Sequence, residues 1–301
     1  MRIGLLASSN VLPGHQMRRG DAFEFDAQFA ALHPAFAALG LTLEPVLWDE
    51  ADRVAERFDA LLPLMVWDYF EGNEARFLAV MELANRVAPV LNPPSLLRWN
   101  ADKRYLDELA AKGAPVIPTR PADRATVEAS KAAFDAFGTD RIVIKPQVGG
   151  GAWRQVLHAK GDPWPDANQL PPGGALIQPF LPSVQAEGEY SFLHFGGRFS
   201  HALVKTPKAG DYRIQSLYGG TERAYIPTSE EKAIAERVLA TLDTPPLYAR
   251  IDLLRGLDGR LALIELEMIE PYLYLPHAEV VDGVNQGAQQ LGEALVTRLK
   301  K

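Results

Sequence analysis

Cysteine is absent from the 301-residue chain, which excludes a disulfide framework, thiolate metal sites and thiol catalysis. A basic excess is absent too. Lys and Arg number 31 against 38 Asp and Glu, a formal net charge of −7, so a nucleic-acid partner held by phosphate neutralisation is not expected. An anionic small ligand would need a local basic pocket instead. No apolar run is long enough to span a bilayer, and no membrane partner is expected. The opening Met1-Arg2-Ile3-Gly4-Leu5-Leu6-Ala7 reads as a strand rather than a signal peptide, so a cytoplasmic domain is the expectation. The six histidines show neither metal-ligand spacing nor pairing, and His194 and His201 read as packing residues. Neither the glycine fingerprint of a dinucleotide site nor a P-loop is found. There is no internal repeat and no low-complexity tract.

What is present is organised around one stretch near the end. Tyr248-Ala249-Arg250-Ile251-Asp252-Leu253-Leu254 breaks at Gly256-Leu257-Asp258-Gly259 and resumes as Leu261-Ala262-Leu263-Ile264-Glu265-Leu266-Glu267-Met268-Ile269-Glu270-Pro271. Two apolar runs around an Asp-Gly turn predict an antiparallel hairpin. Side chains alternate along a strand, so Arg250 and Asp252 share a face, as do Glu265 and Glu267. If the two faces coincide, three carboxylates and an arginine converge, and such a cluster needs a compensating cation. An isolated hairpin of this kind could simply present a solvated acidic face. With so much apolar company the carboxylates are half-buried, and hard oxygen ligands at this spacing suit Mg²⁺.

Strands at 3–7, 41–48, 58–64 and 89–92 alternate with helices at 25–39 and 74–86, which predicts a parallel sheet covered on both faces. This is a Rossmann-like domain over 1–94, whose ligands would sit at strand ends near Ser8-Ser9-Asn10 and Trp67-Asp68-Tyr69. Pro93-Pro94-Ser95 marks the boundary of a second domain over 95–301. It divides into a small lid of about 115–178 and a metal-binding part over 179–301. Ser95 is expected to cap a helix to about Lys112 that carries Trp99, Asn100, Lys103 and Tyr105. A strand at 116–119 leads into a helix at about 124–137. The strand 141–146 ends in Lys145-Pro146 and opens into Gly149-Gly150-Gly151, a loop that either turns the chain or lets backbone N–H groups approach a phosphate beside Lys145. Residues 156–159 read as its partner strand. Gln178-Pro179-Phe180-Leu181 follows an apolar strand. A hairpin then turns at Gly196-Gly197, a basic loop runs from Lys205 through Arg213, and helices at 229–242 and 285–300 complete the chain. The fold class is therefore α/β, with an α+β second domain.

The ordered set is Lys103, Lys145 before a glycine loop, Gln178 to Leu181, Glu187-Gly188-Glu189, Lys205 with Arg213, Arg250-x-Asp252 and Glu265-x-Glu267. In order and spacing it resembles the ATP-grasp superfamily over roughly residues 90–280, particularly its glutathione synthetase-like members. The resemblance implies two α+β subdomains gripping ATP, and it assigns roles by position. Lys103 and Lys145 would hold the phosphates. Gln178, Phe180 and Leu181 would frame the adenine, and Glu187 or Glu189 would accept from the ribose. Asp252, Glu265 and Glu267 would ligate Mg²⁺, two ions by the family pattern, with Mn²⁺ an alternative. Arg213, Arg250 and Lys205 would stabilise the transferred phosphoryl group.

One departure is that many such ligases end in Glu-x-Asn where this chain has Glu265-Leu266-Glu267. The subset with Glu-x-Glu followed by Ile-Glu-Pro is similar to the cyclo-ligase type of D-cycloserine biosynthesis, which closes a ring on O-ureido-D-serine. The glycine loop here, with Trp153 and Arg154, departs from that subset. The resemblance implies an ADP-forming carboxylate–amine ligase working through an acylphosphate on small-molecule substrates, with a homodimer as one form of assembly. A kinase of the same fold and a non-catalytic nucleotide-binding module are the alternatives. Because phosphoryl transfer is mostly positioning and charge neutralisation, the carboxylates and cations are the expected machinery. The loops at 145–155 and 205–220 are expected to close over it. Aromatic and acidic residues at 67–70 and 270–274 would suit an amino-bearing substrate, or would equally serve to close an interdomain core.

Overall fold

The structure is a computed structural model and describes residues 1–300. The first sheet is parallel. It contains β1 (Arg2–Ala7), β2 (Thr42–Leu47) and β3 (Ala60–Met65) in the order β2-β1-β3. Every residue of β3 is buried, as expected where helices cover both faces of a parallel sheet. The expected fourth strand at 89–92 is reduced to a single parallel bridge between Val90 and Leu61. Pro89, Pro93 and Pro94 lack the N–H groups a ladder needs.

The second sheet is antiparallel and contains β4 (Arg120–Ala122), β5 (Arg141–Pro146), β6 (Val156–Ala159) and β7 (Ala175–Pro179) in the order β4-β7-β5-β6. The strand expected at 116–119 makes one bridge, from Val116 to Leu263, and regular pairing begins only at Arg120. A helix at Val127–Phe137 packs on this sheet through Phe134. It is capped by Thr126, whose hydroxyl accepts from Ala129 N at 3.1 Å, and it ends at Gly138 in the left-handed conformation that favours glycine.

The third sheet contains β8 (Glu189–Phe195), β9 (Arg198–Thr206), β10 (Thr221–Tyr225), β11 (Tyr248–Arg255) and β12 (Leu261–Glu267) in the order β10-β9-β8-β11-β12. The turn between β8 and β9 has φ of 58° at Gly196 and 79° at Gly197, the positive pair that a two-residue hairpin turn requires. Strand β10 was not expected. Its residues are almost all exposed, so the sequence there carries no alternation.

The first and third sheets share one core. Ile3, Leu5, Leu32 and Phe36 pack in the same cluster as Leu193, Phe195, Tyr248 and Leu291. The second sheet has its own small core around Ile142, Ile144 and Ile177. It meets the third where Phe180 and Leu181 pack with Ile117 and Leu254. A cleft opens between these two sheets and reaches the N-terminal sheet. Among the described residues no helix is long and apolar enough to cross a membrane.

His194 and His201 are both buried within the third sheet. Burial pushes each imidazole down to about 4, outweighing the opposing influence of nearby backbone carbonyls, of which only that of Leu273 is within hydrogen-bond reach, of His201. Neither ring nitrogen of His194 has a partner. In the unfolded chain these rings bind protons near pH 6.5, whereas the folded protein refuses them until about pH 4, so the unfolded state binds more protons in between. Stability should therefore be full above pH 6.5 and fall as the pH drops toward 4, by about 3 kcal/mol per ring. Urea titrations of wild type and His194→Phe across this window check it. A midpoint that is flat in wild type, or that falls equally in the variant, contradicts the assignment.

Candidate active site

The expected hairpin forms, and its two charged faces coincide. Arg250 lies opposite Glu267 and Asp252 opposite Glu265, with a bulge just beyond Asp252. Arg250 grips Asp252 by two nitrogens, Nε to Oδ2 at 3.0 Å and Nη2 to Oδ2 at 2.9 Å, and its Nη2 also bonds Glu267. Lys205 Nζ, from β9, stands 3.3 Å from Asp252 and 2.7 Å from Glu189. Lys103 Nζ stands 3.1 Å from Glu265, and Lys145 Nζ from β5 stands 3.9 Å from its other oxygen.

Outer-edge hydrogen bonds hold β12 in place. Asn100 donates to Leu266 O at 2.8 Å and accepts from Met268 N at 2.8 Å. Tyr105 OH exchanges bonds of 2.9 Å with Leu266 O and N. These side chains satisfy an edge that would otherwise be open. They also explain a correction. The single helix expected over 95–112 is two, Pro94–Ala101 and Tyr105–Ala111. Lys103 lies in the break rather than on a helix, its N–H donating to Gln147 O at 2.9 Å.

Electrostatics follow from burial. Desolvation would raise Asp252, but Arg250 and Lys205 overcome it and hold the carboxyl down at about 2. Glu267 is pushed up to about 7 by burial, helped by the charges of Asp252 and Glu265, although Arg250 opposes. Burial would lower Lys205, yet Asp252 and Glu189 raise it above its ordinary value. Lys145 is lowered by burial, only partly offset by Glu265.

Beyond the lysines the cleft becomes an apolar slot lined by Val143, Gln178, Phe180, Leu181, Leu254 and Ile264. Gln178 donates to the Thr119 hydroxyl at 2.9 Å, and Arg141 stacks 4.3 Å above the Phe180 ring. The glycine loop borders the cleft. A Cβ on Gly150 would stand 3.0 Å from the Phe70 ring, and Trp153 packs 6.3 Å from Phe70.

Thus Lys103, Lys145, Gln178, Phe180, Leu181, Glu189, Lys205, Arg250, Asp252, Glu265 and Glu267 all line one cleft. Glu187 and Arg213 do not. Glu187 is tied to Arg255 at 2.9 Å and to Tyr190 at 3.1 Å, while Arg213 is chelated by Asp211 at 2.7 Å and stacked 3.9 Å over Tyr218. Of the candidate strand ends, Trp67, Tyr69 and Phe70 reach the cleft. Ser8 and Asp68 instead bond each other, and Asp68 also accepts from the Trp48 indole N–H at 2.7 Å. No sequence signal marks Arg19, Asp21, Glu24 and Ser216, which complete the wall. They occupy a polar turn, the start of a helix and a loop, without periodicity or motif. Among the described residues no three carboxylate or imidazole groups stand together as an open metal cage. Asp252 is fully engaged by cations, whereas Glu265 and Glu267 keep about a quarter of their side chains exposed.

Two gripping α+β sheets, a lysine-lined cleft between them and a preceding parallel domain define an ATP-grasp ligase architecture. Comparison with known proteins agrees. A family model described as the N-terminal domain of D-cycloserine synthetase DcsG matches residues 3–92. The cycloserine biosynthesis protein DcsG of Streptomyces lavendulae is 30% identical over 292 residues, 91% of this chain and 95% of that protein. A glutathione synthetase of Ralstonia nicotianae is 31% identical over 225 residues, covering 70% of this chain and 65% of that protein. The crystal structure of D-cycloserine synthetase DcsG superposes with a TM-score of 0.83 at 27% identity, over 99% of this chain and 100% of that one. A D-alanine–D-alanine ligase from Bacillus anthracis shares the fold, with a TM-score of 0.65 at 14% identity over 100% and 97% of the two chains. The chain belongs to the DcsG family of the ATP-grasp superfamily, and it is an enzyme of the ligase class.

Removing Asp252 takes from two buried cations the carboxylate they share, leaving each with one partner, so Asp252→Ala should cost about 3 kcal/mol. Glu267→Gln should be neutral or stabilising at neutral pH, because the fold already disfavours its charge. Urea unfolding of both variants tests this, and comparable losses would contradict the assigned charge distribution.

Proposed function

We propose that the enzyme is an ATP- and Mg²⁺-dependent ligase. A substrate carboxylate attacks the γ-phosphate, ADP leaves, and a nitrogen nucleophile displaces phosphate from the resulting acylphosphate. The observation that supports this most directly is the convergence of Lys103 and Lys145 on Glu265 at the mouth of an apolar slot. The slot suits a purine base, and the lysines suit its phosphates. Glu189 rather than Glu187 would accept from the ribose, a reading supported by the ion pair that holds Glu187 to Arg255 outside the cleft. Arg250 and Lys205 would steady the charge of the transferred group; Arg213, outside the cleft, is not needed for this.

The donor set fits a hard cation. Glu265 and Glu267 would hold Mg²⁺ with Asp252 behind them, and metal binding there would neutralise phosphate charge. Two ions are expected, with Mn²⁺ able to replace them. Phe70 and Trp153, over the glycine loop, would keep water from the acylphosphate.

A second reading concerns the nucleophile. Nearly the whole chain matches a cycloserine biosynthesis protein, which favours capture by a nitrogen of the same molecule and so a cyclic product. Incubation of O-ureido-D-serine with ATP and Mg²⁺ should then release ADP and give a ring product detectable by mass spectrometry. A stable phosphorylated compound would identify a kinase instead.

The nucleotide site is tested by thermal unfolding with ATP and Mg²⁺ singly and together. Both ligands should be needed for a shift of about 5 °C when the ligand stands near 100-fold above its Kd. Glu265→Ala/Glu267→Ala should abolish it. An unshifted wild type would defeat the ligase proposal.

A further inference from the structure

An acylphosphate is consumed by whichever nucleophile reaches it. A ligase that joins two molecules must leave a way in for the second one. An enzyme whose nucleophile belongs to the phosphorylated molecule needs no such way, and closing it also excludes water and free amines. The phosphate end of this cleft is marked by Lys103, which stands 3.1 Å from Glu265 and also donates to Gly149 O in the glycine loop. At the next residue this loop meets the N-terminal domain. A Cβ on Gly150 would lie 3.0 Å from the Phe70 ring, closer than carbon atoms pack without repulsion, so the edge of the ring rests on bare backbone. Trp153 covers the same junction, its ring centroid 6.3 Å from that of Phe70.

These two rings do more than fill a core. Both are only half-buried, and both line the cleft, although an aromatic ring offers a phosphate neither charge nor hydrogen bond. Each is also held from behind. Phe70 stands edge-on to the buried Tyr69 at 5.6 Å, and Tyr69 packs in turn on Phe77 at 5.0 Å. Trp153 lies between Ala152 and Arg154, whose φ values of 58° and 54° are left-handed, a conformation non-glycine residues adopt at a cost. Arg154 sets its guanidinium 5.6 Å from the Trp153 ring centroid and donates to the carbonyls of Ala167 and Asn168. Backbone held against its preference on both sides of one residue points to the placement of that side chain as what the loop secures.

We infer that Phe70 and Trp153 form a nucleophile filter: they bar external nucleophiles from the acyl carbon and reserve it for a nitrogen carried by the same molecule. This rests on the ligase reading with a cyclic product and assigns the residues that enforce it. In ring closure that nitrogen attacks the acyl carbon. The C–N bond forms as the C–O bond to phosphate breaks, and the departing phosphate keeps the electron pair and takes up the nitrogen's proton. Water or hydroxylamine admitted to the same carbon would displace phosphate in the same way, giving the free acid or a hydroxamate. The test supplies O-ureido-D-serine, ATP and Mg²⁺ with and without hydroxylamine, and measures ADP, ring product and hydroxamate by mass spectrometry. Wild type should give matching amounts of ADP and ring product and no hydroxamate. Phe70→Ala and Trp153→Ala should still form ADP, but with several-fold less ring product per ADP and with hydroxamate when hydroxylamine is present. Phe70→Leu and Trp153→Phe, which keep an apolar plug, should recover most of the coupling, and Trp153→Ala serves alone if Phe70→Ala does not fold. Hydroxamate from wild type, or full coupling without hydroxamate in the alanine variants, overturns the inference. If wild type forms no ring product although ATP and Mg²⁺ stabilise it, the cyclic reading and this inference fall together while the nucleotide site stands. If ATP and Mg²⁺ fail to stabilise wild type, the ligase reading falls as well.

Discussion

The contact on which the cleft depends is the grip of Arg250 and Lys205 on Asp252, deep in the third sheet. Removing three charges from water costs several kcal/mol for each ion, and only close geometry with further hydrogen bonds recovers it. The Ser191 hydroxyl supplies one of those bonds and the Tyr272 carbonyl another. Each cation then serves a second carboxylate, Lys205 reaching Glu189 and Arg250 reaching Glu267. Carboxylates from three strands are thereby held along one wall, and those of β12 remain the most open to the cleft. A wall arranged before any ligand arrives is what positional catalysis of phosphoryl transfer requires.

The same logic explains why the lysines come from different parts of the chain. Lys103 lies in a helical break and Lys145 ends a strand of the second sheet, so their meeting at Glu265 brings the lid to the hairpin. Lys145, lowered by burial, has one carboxylate at 3.9 Å, that of Glu265, and only the more remote Glu189 and Asp252 besides to support its charge. An anionic phosphate at this point would meet a cation that is poorly satisfied by the protein.

Much of this was legible in the sequence because strand parity is strict. An Asp-Gly turn and alternating runs were enough to put Arg250, Asp252, Glu265 and Glu267 on one face, and the bulge falls on the turn side of Asp252, where it leaves that register intact. Parity could not choose between Glu187 and Glu189, two residues apart and on the same expected face; the distant Arg255 made the choice by claiming Glu187. Arg213 lies outside the cleft for a similar reason, since its neighbour Asp211 captures it locally. The helical pattern of 95–112 ran unbroken in the sequence, and the break at Lys103 comes from hydrogen bonds to segments 40 or more residues away, which no local pattern records. Glu24 escaped notice because an acidic residue in a helix's first turn is ordinarily explained by the helix dipole alone.

The N-terminal domain takes part in the site through more than Glu24. Asn92, at the end of that domain, donates to the carbonyls of Tyr248 at 3.0 Å and Met268 at 2.8 Å, and accepts from Leu247 N at 2.6 Å. One buried amide thus fastens both strands of the charged hairpin at the end where they carry Arg250 and Glu267. Asn100 and Tyr105 continue the seam along β12. Such an edge can be closed by another strand or by side chains, and closure by side chains leaves Leu266 and Met268 in regular geometry while the next element turns away toward the lid. That turn is what brings Lys103 over Glu265. The fidelity of the carboxylate positions on β12 is therefore set by amides and a phenol that bond the backbone of the strand rather than its carboxylates.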